Sequence, residues 1–148
     1  MKIVKHSKSK WTNSLKNGHG TIALGSGSFH GEFTYNSRFN YEEGTNPEEL
    51  LAAAHASCFT MELLSILEKN KFTPDFIETD AYVYLEKNND LIGISKIELV
   101  THIKDSSIDE EDFLKFAETA KNCIISRALA VKIEIKTVVL KNEEAWRL

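Results

Sequence analysis

Two cysteines are the residues in this chain whose chemistry stands out. Cys58 lies in a run of apolar and small residues, Cys123 follows much later, and there is no third cysteine. A buried helical cysteine is otherwise only a small hydrophobe. Apolar surroundings disfavour the thiolate, so a reactive Cys58 needs a cation nearby. Arg38 is the candidate cation, and Glu48 is freer than Glu49 to hold it, because Glu49 suits a helix-capping role.

His55, three residues before Cys58, allows other chemistries. The two could share a helix face and bind zinc together with Cys123, but a closed site needs a fourth ligand. The remaining candidates for that ligand sit in no recognisable spacing: His19, His30 and His102. A cysteine–histidine nucleophile for acyl transfer is another possibility, although no oxyanion loop or protease signature accompanies it. We therefore expect no metal and interpret His55 as a satisfied core or interface residue.

The segment around Cys58 predicts a long helix from about 47 to 69. Asn46 suits the N-cap and Pro47 the first helical position. Between positions 50 and 67 apolar and small residues go nearly all the way round, which predicts burial on most sides. The small residues at 52–54, 56 and 57 would let another backbone come close.

The remaining elements predict an α+β fold with antiparallel sheets around this central buried helix. Three antiparallel strands precede the helix, including Thr21–Leu24 and Phe33–Phe39, where alternation continues through Arg38. A hairpin follows, with strands at 77–87 and 91–104. Residues 107–110 have the form of a capping box and open a second helix, with Cys123 near its C-terminal end. A last strand is expected at 131–140.

Composition limits the class of protein. A length of 148 residues fits one domain, 1–148, with an exposed tail at 141–148. The net charge of −4 gives no reason to expect nucleic-acid binding. No apolar run approaches the roughly 20 residues of a membrane helix, and the N-terminus lacks a signal-peptide core. We expect a cytoplasmic protein, in which two cysteines are more often catalytic than a permanent disulfide.

Several of these segments together resemble the OsmC/Ohr family, and its OsmC branch in particular. The similarity extends from about Trp11 to Leu140 and is strongest in five stretches, 38–39, 43–44, 45–50, 53–59 and 120–123 with Ser126. The resemblance implies thiol-dependent reduction of organic hydroperoxides, with an external thiol as reductant and no metal, flavin or haem. It also implies an intertwined homodimer with two active sites at the subunit interface.

By position, the resemblance assigns a role to each candidate site residue. Cys58 would be the peroxidatic cysteine, Cys123 the resolving cysteine, Arg38 the activating cation and Glu48 the carboxylate that orients it. The chain departs from the family pattern at Ile124, where proline is usual, and at residues 17–18, where Asn-Gly replaces a basic residue. The second departure leaves Arg38 as the only matching cation.

Helix geometry adds an expectation about assembly. Glu48 and Cys58 are ten residues apart, roughly 15 Å along a straight helix, so a Glu48 that acts at the site should come from a second chain. Three apolar side chains would favour an alkyl hydroperoxide over hydrogen peroxide: Phe39, Phe59 and Met61. The alternative function is a non-catalytic dimeric stress protein that acts as a redox sensor or binds a hydrophobic small molecule.

Overall fold

The first 50 residues form a small antiparallel sheet followed by a short helix. The structure is a computed structural model that describes residues 1–141, and the chain divides into two compact units, Met1–Leu50 and Leu51–Leu148. In the first unit the strands are β1 (Ser7–Thr12), β2 (His19–Leu24) and β3 (His30–Phe33), in the order β1-β2-β3. A Cβ at Gly20 would overlap the rings of Trp11 and Phe33, so a glycine lets these aromatic side chains cover the strand.

The predicted strand Phe33–Phe39 is wrong beyond its first residue, because Tyr35–Phe39 is a helix, α1. A capping box starts it: the Ser37 N–H donates to Thr34 Oγ1 (2.9 Å) and the Thr34 N–H donates to Ser37 Oγ (2.8 Å). Tyr35 and Phe39, interpreted as alternating strand positions, are helical neighbours with ring centroids 4.9 Å apart. Two local hydrogen bonds therefore outweigh the alternating pattern, and Arg38 is carried by a helix.

The long helix, α2, spans Pro47–Lys69. This confirms the helix that was predicted from about 47 to 69. Asn46 Oδ1 accepts the Glu49 N–H at 2.8 Å, and Thr45 Oγ1 donates to Glu49 Oε2 at 2.7 Å. Glu49 therefore takes part in the start of the helix, as expected from its position.

Burial of α2 on most sides was a wrong expectation for a single chain. Its buried residues recur every four positions and form one stripe: His55, Phe59, Leu63 and Leu67. Other positions are exposed, including Ala53, Ala54, Ser57, Met61 and Leu64. Composition alone cannot distinguish a face that the same chain covers from one that it leaves open. Against the earlier expectation, α2 is also long and apolar enough to cross a membrane, but core helices of soluble proteins satisfy the same criterion.

The second sheet contains the predicted hairpin, β4 (Phe76–Asn88) and β5 (Leu91–Lys104). The turn residues Asn89 and Asp90 both have positive φ, 46° and 68°. The last strand, β6 (Lys132–Leu140), pairs with β5 in parallel, so the prediction of antiparallel sheets is wrong for this edge. A parallel partner needs a long crossover, which residues 105–131 supply.

Two helices lie in this crossover, α3 (Glu110–Ala120) and α4 (Ile124–Ala128). The predicted capping box at 107–110 is absent: Asp109 caps α3, with Oδ1 accepting the Asp112 N–H at 2.8 Å. Ser107 instead donates its hydroxyl to Asp105 Oδ1 at 2.6 Å. Cys123 lies just beyond α3 and is the N-cap residue of α4. Of the predicted tail at 141–148, Lys141 is described and exposed, and the remainder lies outside the described residues.

The core of the second unit is made by α2, β5 and α3. Fully buried side chains from these elements pack together with Cys123, namely Phe59, Leu63, Leu67, Ile97, Leu99, Ile103, Phe113, Ala117 and Ala120. The helix that carries Cys58 is therefore fixed by the same contacts that enclose Cys123.

Leu63→Ala is expected to lower the free energy of unfolding by about 2–5 kcal/mol, because it empties a fully buried core position. Leu114→Ala makes the same change where 43% of the residue is exposed, and should cost less than about 1 kcal/mol. Urea denaturation followed by circular dichroism measures both. Equal losses at the two positions would contradict the assignment of the α2 stripe to the core.

Candidate active site

The second unit brings the two cysteines together. Cys58 is half-buried on α2, Cys123 is 1% exposed at the start of α4, and both are free thiols. Cys123 is close enough to Cys58 to act on its ionisation, and so are the backbone N–H groups of Ile124 and Ile125. A short segment, 123–125, thus presents a second thiol and two N–H donors to one sulfur atom.

These neighbours act on the pKa of Cys58 in opposite directions. Burial is the largest cause and raises the pKa; the Ile125 N–H lowers it; Cys123 raises it again; and the Ile124 N–H lowers it. The net effect is a raised pKa. In this environment the thiolate is therefore rarer than in a free cysteine, which is itself only a few per cent ionised at neutral pH.

His55 belongs to the same buried region and contacts the second cysteine through Ser126. His55 is 0% exposed, and its Nε2 lies 2.6 Å from Ser126 Oγ. Ser126 Oγ lies 3.3 Å from Cys123 Sγ. The three side chains form a continuous buried hydrogen-bonded path. Ser126 was not predicted as a partner of His55, and its spacing of three residues from Cys123 was the only available signal in the sequence.

Two atoms of His55 differ in their surroundings. Nε2 is engaged by Ser126, which fits the interpretation of a satisfied core residue, whereas Nδ1 has no hydrogen-bond partner among the residues described. Burial lowers the pKa of His55, so the imidazole is neutral at neutral pH. Within residues 1–141, no three His, Cys, Asp or Glu side chains are grouped in a way that could hold a metal ion.

Arg38 and Glu48 pair closely in the first unit. Arg38 Nε donates to both carboxylate oxygens of Glu48, at 3.2 and 3.1 Å, and Nη2 donates to Oε1 at 2.5 Å. The Glu48 side chain is 11% exposed and that of Arg38 is 41% exposed. The guanidinium also lies 5.1 Å from the centroid of the Phe39 ring. The carboxylate therefore fixes the orientation of a cation that keeps part of its surface open.

The predicted site residues thus form two local arrangements. The first unit holds the cation with its carboxylate, and the second holds the thiol pair with the buried histidine and serine. Of the apolar residues expected beside the site, Phe59 is fully buried in the core, while Phe39 and Met61 are 39% and 74% exposed. Phe59 is therefore unavailable to a substrate.

The chain is similar in sequence to known proteins. A family model described as OsmC-like protein matches residues 40–138, which include Glu48 and both cysteines. Peroxiredoxin OsmC of Escherichia coli (strain K12) is 38% identical over 137 residues, 91% of this chain and 96% of the relative. Organic hydroperoxide resistance protein-like 2 of Staphylococcus saprophyticus is 30% identical over 102 residues, 66% of this chain and 69% of the relative.

Solved structures share the fold at lower identity. An OsmC-like protein of Vibrio cholerae superposes with a TM-score of 0.75 at 17% identity, covering 93% of this chain and all of that one (100%). The organic hydroperoxide resistance protein OhrB of Bacillus subtilis gives a TM-score of 0.68 at 23% identity, covering 91% and 98%. The arrangement of two small sheets and one long helix is therefore shared with these proteins.

Cys123→Ala is expected to lower the pKa of Cys58, because the Cys123 thiol raises it. More Cys58 would then be ionised at neutral pH, and iodoacetamide would alkylate it faster. Ultraviolet absorbance of the thiolate, followed against pH, measures the pKa, and Cys58→Ser identifies the signal by removing it. An unchanged pKa in the alanine variant would show that the two thiols do not interact, and a higher pKa would show that Cys123 stabilises the Cys58 thiolate; either result would contradict the prediction.

Proposed function

We propose that this chain, which belongs to the OsmC/Ohr family, reduces organic hydroperoxides to alcohols with the thiol of Cys58 as reductant. The chain is a thiol-dependent peroxidase of the kind named in its curated relative, with which it shares 38% identity over 91% of its length. The single observation that carries the residue assignment is the approach of two free thiols, Cys58 and Cys123, in one buried region.

The reaction divides into three steps at these sulfur atoms. The Cys58 thiolate attacks the distal oxygen of the hydroperoxide, the O–O bond breaks, and the alcohol leaves after taking up a proton. Cys58 becomes a sulfenic acid. Cys123 then attacks the oxidised sulfur, water leaves, and a disulfide joins the two residues. An external thiol reduces this disulfide by exchange and restores both thiols.

The first step needs a cation, because burial and Cys123 raise the pKa of Cys58. An opposite charge within a few ångströms lowers a thiol pKa and increases the thiolate fraction. Arg38 is our candidate, and its bidentate pairing with Glu48 supports the assignment, since a fixed guanidinium loses little freedom when it meets a thiolate. Glu48 acts through Arg38 as a positioning residue.

The assembly that we propose is a homodimer in which each site takes residues from two chains. The exposed positions of α2 include small and apolar residues, such as Ala53 and Met61, which a second copy of the helix would cover. Glu48 lies roughly 15 Å from Cys58 along α2, so the Arg38–Glu48 pair of one chain would serve Cys58 of the partner chain. We place this dimer in the cytoplasm, where a reducing environment keeps both thiols free.

Cys58→Ser is expected to abolish peroxidase activity, whereas Cys123→Ser should permit one round of Cys58 oxidation and then stall. Consumption of cumene hydroperoxide in the presence of dithiothreitol measures turnover, and thiol counting measures the single round. Full turnover in Cys123→Ser would refute its resolving role. Loss of thiols in the wild-type protein without repeated turnover would instead identify a redox sensor.

Arg38→Ala is expected to slow Cys58 oxidation roughly 10- to 1,000-fold, the effect of losing an opposite charge beside an ionised group. Mixing this variant with Cys58→Ser tests whether the site crosses chains. Half of the dimers are then mixed, and each has one complete site, so about a quarter of the wild-type activity should return. Subunit exchange can be verified by differential tagging.

No recovery in verified mixed dimers would place Arg38 and Cys58 of the same chain in one site. Arg38→Lys is the matched control for charge alone, because it keeps the cation but loses the bidentate contact with Glu48. An activity between those of the wild type and Arg38→Ala is expected.

A further inference from the structure

We propose that Ser126 accepts the proton of the Cys123 thiol during disulfide formation, with His55 as the base behind it. The proposal rests on the proposed function, since it concerns the second step of that reaction. It assigns a task to two buried polar side chains that the reduction of the hydroperoxide at Cys58 does not use. Ser126 contacts a reacting atom, and His55 is a positioning residue that acts through Ser126.

The contacts that support this relay form one unbranched path. Cys123 Sγ lies 3.3 Å from Ser126 Oγ, which lies 2.6 Å from His55 Nε2. Cys123 is 1% exposed, Ser126 8% and His55 0%. Because these side chains are shielded from bulk water, a proton that leaves the Cys123 thiol has Ser126 as its hydrogen-bonded acceptor in the described part of the chain.

The resolving step requires an acceptor for the proton of the Cys123 thiol. The neutral thiol is a poor nucleophile, and attack on the sulfenic sulfur of Cys58 needs the S–H bond of Cys123 to break. A hydroxyl can accept one hydrogen bond while donating another. Ser126 can therefore take a proton from Cys123 and pass its own to Nε2 of His55 without moving.

The step balances without an added reactant. A bond forms between the two sulfur atoms, and the S–O bond of the sulfenic acid breaks with its electron pair leaving on oxygen. The proton from Cys123, held on the relay during the attack, is then returned to the departing hydroxide, which leaves as water. His55 and Ser126 end the step in their starting protonation states.

The state of His55 suits a transient base. Burial lowers its pKa, so it is neutral and able to accept a proton at neutral pH. Its Nδ1 has no hydrogen-bond partner among the described residues. Within that part of the chain, no acceptor at Nδ1 would stabilise the imidazolium, so His55 would hold the proton only briefly. An unpaired buried polar atom destabilises the folded protein, and a purely apolar residue at position 55 would avoid that cost.

Single-turnover kinetics separate the two chemical steps. Reduced protein is mixed with one equivalent of cumene hydroperoxide and quenched in acid at intervals; the alcohol reports Cys58 oxidation, and the disulfide reports resolution. Ser126→Ala removes the relay hydroxyl. His55→Gln keeps a side-chain amide able to hydrogen-bond to Ser126 but cannot take up a proton. Thr101→Val is the matched control, because it removes another buried hydroxyl, the acceptor from Thr79 Oγ1 at 3.1 Å.

Both relay variants should form the alcohol at the wild-type rate and the disulfide on the order of 10²-fold more slowly, at the lower end of general-base contributions. Thr101→Val should show wild-type rates for both steps. If Ser126→Ala does not fold, as judged by circular dichroism, His55→Gln decides alone. Disulfide formation at the wild-type rate in His55→Gln, or an equal slowing of both steps, would overturn the relay. Absence of alcohol with wild-type protein would overturn the proposed function instead.

Discussion

The burial of Cys58 beside a second thiol is the constraint on which the rest of the structure depends. The partial burial that places Cys58 near Cys123 also raises the pKa of Cys58, so the thiolate that peroxide chemistry needs becomes rarer. The buried stripe of α2 holds Cys58 in this environment, because Phe59 and Leu63 pack the helix against β5 and α3. Among the described residues, no cation lowers the pKa of Cys58, so the reaction that we propose needs a positive charge from elsewhere.

In the mechanism that we propose, the Arg38–Glu48 pair supplies this charge as a cation held in place before substrate arrives. The carboxylate is largely buried while the guanidinium remains partly open, so the pair can meet a thiolate without first breaking a fully enclosed contact. The length of α2 then links chemistry to assembly. Glu48 and Cys58 are ten residues apart in sequence, roughly 15 Å along a straight helix, and in the dimer that we propose a second chain brings its Arg38–Glu48 pair to Cys58.

Much of this arrangement could be predicted from the sequence where local chemistry decides the structure. The residues at the start of α2, Asn46 and Glu49, predicted where that helix begins. The break at 88–90 between the two predicted strands indicated the hairpin, whose turn lies at Asn89 and Asp90. The failures arose where distant or competing contacts decide. Residues 35–39 alternate like a strand, but two hydrogen bonds between Thr34 and Ser37 make them helical. The parallel pairing of β6 and the contact between His55 and Ser126 depend on tertiary proximity, which a spacing pattern does not contain.

In the mechanism that we propose, the two cysteines lose their protons in different ways, and one cation would not serve both. In the proposed mechanism, a guanidinium beside Cys58 would favour its thiolate in the resting protein, which is useful because peroxide reacts there first. The same charge beside Cys123 would create a second resting thiolate, open to oxidation before a sulfenic acid exists to resolve. Cys123 instead contacts an uncharged path that runs through Ser126 to His55. In the relay that we propose, the proton leaves Cys123 only as the new sulfur–sulfur bond forms, so the placement of the charge would set the order of the two steps.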